Sequence, residues 1–321
     1  MKSESPNAVF STREMKRRYE AWFLRFALAD GSGAWWFRYL LLNLGHSCFG
    51  GCGGGVSGFP VQVWATWFPR DGTVQHFLAG FSQGDLKMSG RSAAPFFLEC
   101  GGRRIEENAC RAAIEVEGHR ISWDLRYRSL RSYSMSEKGW IGFTRTPHAD
   151  AVFSGKISLD GRIWEGESLG FGLQGHNCGY RHRRFWSWAH VLVPSANGKG
   201  FSSFESVEYE MPLGLRFRRA RLWHEGEDYD FRRMKTIERS VNPFRLAAEW
   251  SRRGDATTLV ARVDGSDISA HRLAYLKTDC SGAFEVTNNS LASATLVLKR
   301  PGQAAIELKT GNGAVLEMAG V

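Results

Sequence analysis

Between Gly170 and His190 the chain gathers His176, His182 and His190, the amides Gln174 and Asn177, and the indoles Trp186 and Trp188, with glycine at positions 170, 172, 175 and 179. An imidazole titrates near pH ~6.5 and exchanges protons at neutral pH, an amide orients a substrate oxygen, and an indole offers a flat apolar wall. Glycine marks places where backbone passes close to something else. The combination reads as the lining of a pocket. His176, between Gly175 and Asn177, projects from a turn and serves as acid or base, while Asn177 and Gln174 hold a substrate oxygen. His182 is a second proton-transfer candidate, and Tyr180 between them joins the lining. A hydrogen-bonded structural histidine fits His176 as well, and an asparagine before a glycine-containing turn is also what left-handed backbone geometry selects.

Trp186, Trp188 and His190 share one strand face by the period of two, and such a row either lines a ligand cavity or fills a barrel interior. Trp36, Arg38 and Leu40 form a similar row, and with Tyr39 they extend the expected substrate surface. A charge on an aromatic strand is costly unless paired or facing a ligand, so Arg38 calls for a carboxylate such as Glu205 or Glu208, or for a bound molecule. His46-x-Cys48 and His176-x-Cys178 share a spacing, with Cys52 close behind. A zinc site built from them lacks the short Cys-x-x-Cys hook, so no metal is expected. No serine sits on a credible strand-to-helix elbow, and there is no phosphate-cradling glycine loop followed by Lys-Ser/Thr, which disfavours serine hydrolysis and nucleotide binding. Glu106-Glu107 and Glu225-Gly226-Glu227-Asp228 read as solvated turns.

These side chains must be positioned by strands. Short apolar or alternating runs are separated by Asp-Gly turns at Ala29-Asp30-Gly31, Arg70-Asp71-Gly72, Leu159-Asp160-Gly161 and Val263-Asp264-Gly265. In Ile121-Ser122-Trp123-Asp124-Leu125-Arg126-Tyr127-Arg128 apolar and polar residues alternate, the mark of an antiparallel sheet with one wet face. Thr12 to Glu20 and Asn242 to Trp250 are the only helix candidates, and neither carries enough apolar surface to build a layer. The inventory is all-β. It exceeds one eight-stranded barrel, which predicts two antiparallel β-barrels in tandem with a seam near Gly170 to Gly179: a first unit over residues 1–172 and a second over 173–321.

With 321 residues, 43% of them hydrophobic, the chain can bury a large core or two smaller ones. A net charge of +9 invites a nucleic-acid reading, but the motifs of nucleic-acid binders are absent. The Arg216-Phe217-Arg218-Arg219-Ala220-Arg221 stretch fits a solvated strand face, and the same charge would favour contact with anionic lipid headgroups. No signal-peptide pattern or span of bilayer length occurs, and six scattered cysteines suit reduced thiols, so a cytoplasmic protein without obligatory disulfides is expected.

Tyr19-Glu20-Ala21-Trp22-Phe23 leading to Trp36-Phe37-Arg38-Tyr39, then Gly175-His176-Asn177-Cys178-Gly179 leading to Trp186-Ser187-Trp188-Ala189-His190, resembles the tandem lipocalin-like superfamily of carotenoid hydratases, tocopherol cyclases and Diels–Alderase-type pericyclases. The resemblance implies two calycin-type barrels, with a pocket for an elongated apolar molecule in or between them. It also implies chemistry by protonation or shape, with no cofactor. Gly175 stands here where hydratase-like relatives carry an acid, and Cys178 where they carry an indole, which disfavours hydration through a carbocation. The expectation is an enzyme that cyclises, rearranges or hydrates a large apolar isoprenoid or polyketide-derived substrate. The rival is a noncatalytic carrier of hydrophobic small molecules, and the sequence leaves the oligomeric state open.

Overall fold

The computed structural model describes residues 5–12, 17–44, 59–90, 95–137, 142–182, 184–195, 200–265, 270–279 and 281–320. Two antiparallel sheets hold most of them, with only two 3-10 turns, Gln83–Asp85 and Pro212–Gly214, and no α-helix. The first sheet contains β1 (Tyr19–Leu28), β2 (Gly33–Leu42), β3 (Val61–Pro69), β4 (Gln75–Phe81), β5 (Leu86–Met88), β6 (Phe97–Cys100), β7 (Arg103–Glu106), β8 (Ala109–Val116), β9 (His119–Arg128), β10 (Tyr133–Glu137), β11 (Gly142–Leu159) and β12 (Arg162–Gly179). The second contains β13 (Trp186–Pro194), β14 (Phe201–Glu210), β15 (Arg216–His224), β16 (Glu227–Val241), β17 (Phe244–Arg252), β18 (Thr258–Gly265), β19 (His271–Leu276), β20 (Ala283–Lys299) and β21 (Ile306–Ala319).

Pairing of β18 with β20 closes the second sheet into an eight-stranded barrel, with β19 as an extension. The first sheet curls into a nearly closed barrel whose strands β4 and β8 approach each other across the remaining gap. The tandem-barrel architecture is therefore the one expected. The chain passes between the barrels after Gly179 and before Trp186, whereas the expected division at Gly172 and Leu173 falls inside β12.

The first barrel is filled by aromatic rings. Trp35 stacks on Phe37 and meets Trp67 and Trp164, while Phe26 stacks on Phe153. A closed sheet of this size is packed by its own inward side chains. Strand β2 is buried along its whole length because Trp35, Phe37, Tyr39 and Leu41 point into this core while Ala34, Trp36, Leu40 and Leu42 pack in a separate cluster shared with the second barrel. Tyr39 is thus a core residue. Its hydroxyl donates to the carbonyl of Arg111 and accepts from Trp123 Nε1, so it does not line a substrate surface.

The helix expected over Asn242 to Trp250 is strand β17. Phe244, Leu246, Ala248 and Trp250 are buried inside the second barrel at a period of two, and burial on that face outweighs the helix-opening signal of Pro243. Val263-Asp264-Gly265 continues β18, with Gly265 opposite Phe244, instead of turning. Tyr19 and Glu20 of the other helix candidate begin β1, and positions 13–16 lie outside the described residues. Asp160 and Gly161, both with positive φ, do form the tight turn between β11 and β12.

Polar contacts lock the barrels together. The Arg25 guanidinium, fully buried on β1, donates to the carbonyls of Ser290, Asn312 and Ala314 in the second barrel. Burial lowers its pKa to about 9. His190 Nε2 lies 2.8 Å from the carbonyl of Ala149, Tyr133 donates to the carbonyl of Ser203 at 3.2 Å, and Thr146 donates to Glu205 at 2.6 Å.

Candidate functional site

Strands β1 and β12 run antiparallel with Trp22 opposite His176 and Ala21 opposite Asn177. The alternation of a strand then sends the two neighbours apart. Trp22 and His176 turn into the first barrel, whereas Ala21 and Asn177 face the second. The glycines of β12 allow this close pairing: a Cβ at Gly172 would collide with the carbonyl of Arg25, and one at Gly175 with the ring of Phe23. The glycine-rich stretch is a strand pressed against its neighbour, not the expected turn.

His176 is fully buried, with Nε2 2.8 Å from Glu20 Oε1 and Nδ1 2.9 Å from the carbonyl of Pro6. Its ring is stacked on Trp22 at 4.5 Å and edged by Phe143 at 4.7 Å. Glu20 also receives the backbone N–H groups of Phe10 and Ser11, and Gln174 Nε2 donates to Asn7 Oδ1 at 3.0 Å. His176 and Gln174, expected to act on substrate, instead tie the segment before β1 across the first barrel. Neither lines the cavity described next.

That cavity, of about 360 Å³, lies between the barrels. Tyr19, Phe23, Trp36 and Phe143 wall it from the first, and Trp186, Trp188, Tyr209 and Tyr275 from the second. Of the residues expected from sequence, Asn177, Tyr180, His182, Trp186, Trp188, Trp36 and Arg38 meet here. His190 shares the face of Trp188 but lies outside the cavity, holding Ala149. Burial pushes its pKa down to about 3.

The walls are fixed by hydrogen bonds at their polar edges. Trp188 Nε1 donates to Glu205 at 2.9 Å and Trp186 Nε1 to Glu317 at 3.0 Å. Glu317 also accepts from Tyr275 and from Asn288. Burial raises the Glu205 pKa, opposed by the hydrogen bonds from Thr146 and Trp188. Tyr275 is held well above the usual phenol range, chiefly by burial.

Three cavity groups have unmet polar capacity. Asn177 Oδ1 has no hydrogen-bond partner, and neither ring nitrogen of His182 has one. His182 stacks on Tyr19 at 4.0 Å, and burial followed by the charge of Arg38 holds its pKa well below the usual imidazole range, so the ring is neutral. The Leu276 backbone lies near enough to offset part of this without reaching hydrogen-bond geometry. Arg38 is 4% exposed, and its Nη1 is unpartnered. The expected carboxylates are engaged elsewhere, Glu205 by Thr146 and Trp188 and Glu208 by Arg218 and Arg239.

Tyr275 and Glu317 were not foreseen. Glu317 is the sole acid in Ala314-Val315-Leu316-Glu317-Met318-Ala319, and an acid in an apolar strand is a signal that could have found it. His46, Cys48 and Cys52 lie outside the described residues, and the engaged His176 leaves no ring nitrogen for a metal. Among the described residues no group of three His, Cys, Asp or Glu could hold a metal ion, and no helix is long and apolar enough to cross a membrane. Arg218, Arg219 and Arg221 pair with Glu208, Asp230 and Asp228, and Arg219 and Arg221, which point opposite to Arg218, pack against Ser134, Met135 and Tyr133 of the first barrel where a solvated face was expected.

Two β-barrels enclosing an aromatic cavity at their junction define a tandem lipocalin-like fold. The same architecture is found in CghA, at a TM-score of 0.63 with 10% identity over 99% of this chain and 95% of that one. CghA with Sch210972 matches at 0.60, with 11% identity over 94% and 88%. Kievitone hydratase from Nectria haematococca matches at 0.54, with 10% identity over 99% and 94%. No family model matches the sequence, and no curated protein matches it.

Proposed function

We propose that this protein is an enzyme of the cyclase, isomerase or hydratase type, acting on a large apolar substrate in the cavity between its barrels. The observation that carries this reading is the pairing of an aromatic enclosure with unsatisfied polar groups, Asn177 Oδ1 and the neutral His182 ring, at one place. Such buried groups cost stability unless a ligand completes them. In this reading Trp186, Trp188, Trp36 and Tyr275 fold the substrate, Asn177 receives a hydroxyl or enol proton in a hydrogen bond, and His182 accepts a proton as base. Proximity then supplies much of the acceleration, as holding reacting atoms in contact does in general. The fold shared with a protein named as a hydratase agrees with this reading.

The test is to incubate the purified protein with an organic extract and identify the compounds it retains. A retained compound returned as a cyclised, rearranged or hydrated product supports the enzyme. A compound retained and recovered unchanged makes the protein a carrier, and failure to retain any apolar compound contradicts the site.

A further inference from the structure

Among the described residues the Arg38 guanidinium has no counter-ion. It sits on β2 facing the cavity, packed with its Cζ 4.2 Å from the centre of the Tyr275 ring and 5.1 Å from that of Trp64. Among the described residues it makes no ion pair, and one of its two terminal nitrogens meets no acceptor. Glu317, the half-buried acid of the same cavity, is committed: Oε1 takes the Trp186 N–H, and Oε2 takes the Tyr275 hydroxyl and the Asn288 amide. The other cavity acid, Asp279, is exposed and accepts from Ser281. Arg17 and Arg181, also exposed, add positive charge to the cavity lining.

A buried guanidinium without a carboxylate is expensive, and aromatic faces compensate only part of its lost hydration. Its planar fork matches a two-oxygen anion and is aimed at an aromatic enclosure, so both halves of an amphiphilic ligand are specified. We infer that Arg38 is the anchor for an oxyanion that presents two oxygens to the guanidinium, such as a carboxylate, carried on the apolar substrate of this cavity. The inference rests on the cavity reading above and narrows its substrate class to acids. The apolar body of the ligand lies against Trp36, Trp186 and Trp188, and its charged head meets the Arg38 guanidinium that Tyr275 and Trp64 hold in place.

A matched pair of fluorescent probes separates the two readings. N-phenyl-1-naphthylamine and 8-anilinonaphthalene-1-sulfonate share one apolar body and differ by the sulfonate. The natural protein is expected to bind the sulfonate at least about tenfold more tightly, as a charge-assisted hydrogen bond implies. Arg38→Met is expected to abolish that preference, the ratio of the two affinities falling to about one. Equal affinities in the natural protein, or a preference that survives Arg38→Met, overturn the anchor while leaving the cavity reading intact. If the neutral probe does not bind at all, the cavity reading falls and the anchor with it. Should Arg38→Met fail to fold, displacement of the neutral probe from the natural protein decides. Preferential displacement by 2-naphthoate over 2-naphthalenemethanol supports the anchor, and equal displacement overturns it.

Discussion

His176 Nε2 lies 2.8 Å from Glu20 Oε1, inside the first barrel and on the opposite side of β12 from Asn177. Both ring nitrogens are occupied before any ligand arrives, because Nδ1 is held by the carbonyl of Pro6. Removing the ring leaves the buried Glu20 carboxylate short of a partner and opens a void beside Trp22. His176→Ala is therefore expected to lower stability by about 2–4 kcal/mol in urea titration, a cost typical of breaking a buried polar pair. Affinity for an apolar probe should change less than threefold. A variant as stable as the parent but unable to bind would reverse the assignment.

Asn177 and His182 should behave in the opposite way. Asn177 Oδ1 and both ring nitrogens of His182 lack hydrogen-bond partners in the free protein, so shortening either side chain breaks no hydrogen bond of these atoms. His182→Ala is expected to reduce turnover of the natural substrate by about 10²–10⁴, the usual contribution of a positioned acid or base. For Asn177→Ala the expected loss is about 10²-fold, as for other single oxygen-orienting groups. Melting temperatures within a few degrees of the parent would show that these losses are local.

The fold that positions these groups was legible where one face of a strand is buried and the other is wet, as in Ile121 to Arg128, and at tight turns such as Asp160-Gly161. Strand β12 was harder to read, because its glycines mimic loop composition while their purpose is close approach to β1 at Arg25 and Phe23. That misreading carried His176 into the wrong compartment: on a strand, the period of two fixes its direction opposite to Asn177. The same rule places Tyr39 away from Trp36 and Arg38. Trp36, Arg38, Trp186 and Trp188 reached the cavity because each row faces the other barrel, yet which face is inside depends on barrel closure, a long-range pairing that local pattern does not encode. Phe244 to Trp250 shows the competition in reverse, where a proline suggested a helix and the barrel core imposed a strand.

Acid should destabilise the protein through its buried histidines. His190 and His76 have pKa values lowered to about 3, burial being the largest cause for each, and His182 is held well below its ordinary value. A folded-state pKa below the unfolded value of 6.5 means that the unfolded chain takes up protons first. Stability is therefore level above pH 6.5 and falls between 6.5 and about 3. One such histidine contributes a loss of about 2 kcal/mol between pH 7 and 5. Urea midpoints measured across this range should fall steadily, and His190→Gln should flatten the slope. A midpoint independent of pH would count against the buried neutral rings.

Arg25 provides the most concentrated link between the barrels, satisfying carbonyls of Ser290, Asn312 and Ala314 with one side chain. Arg25→Met keeps most of the apolar stem but strands three acceptors, two of them buried. The expected cost is about 3–5 kcal/mol, with unfolding that no longer follows a single transition as the barrels lose their common interface. Coincident transitions by fluorescence and circular dichroism, with little loss of stability, would show that the packed clusters alone hold the barrels together.

The location of the ligand is the central claim, and a crystal structure with N-phenyl-1-naphthylamine or a compound retained from extract tests it most directly. The expected density lies between the barrels, against Trp186 and Trp188 and within reach of Asn177 and His182. Density enclosed within either barrel, or beside His176, would contradict the account.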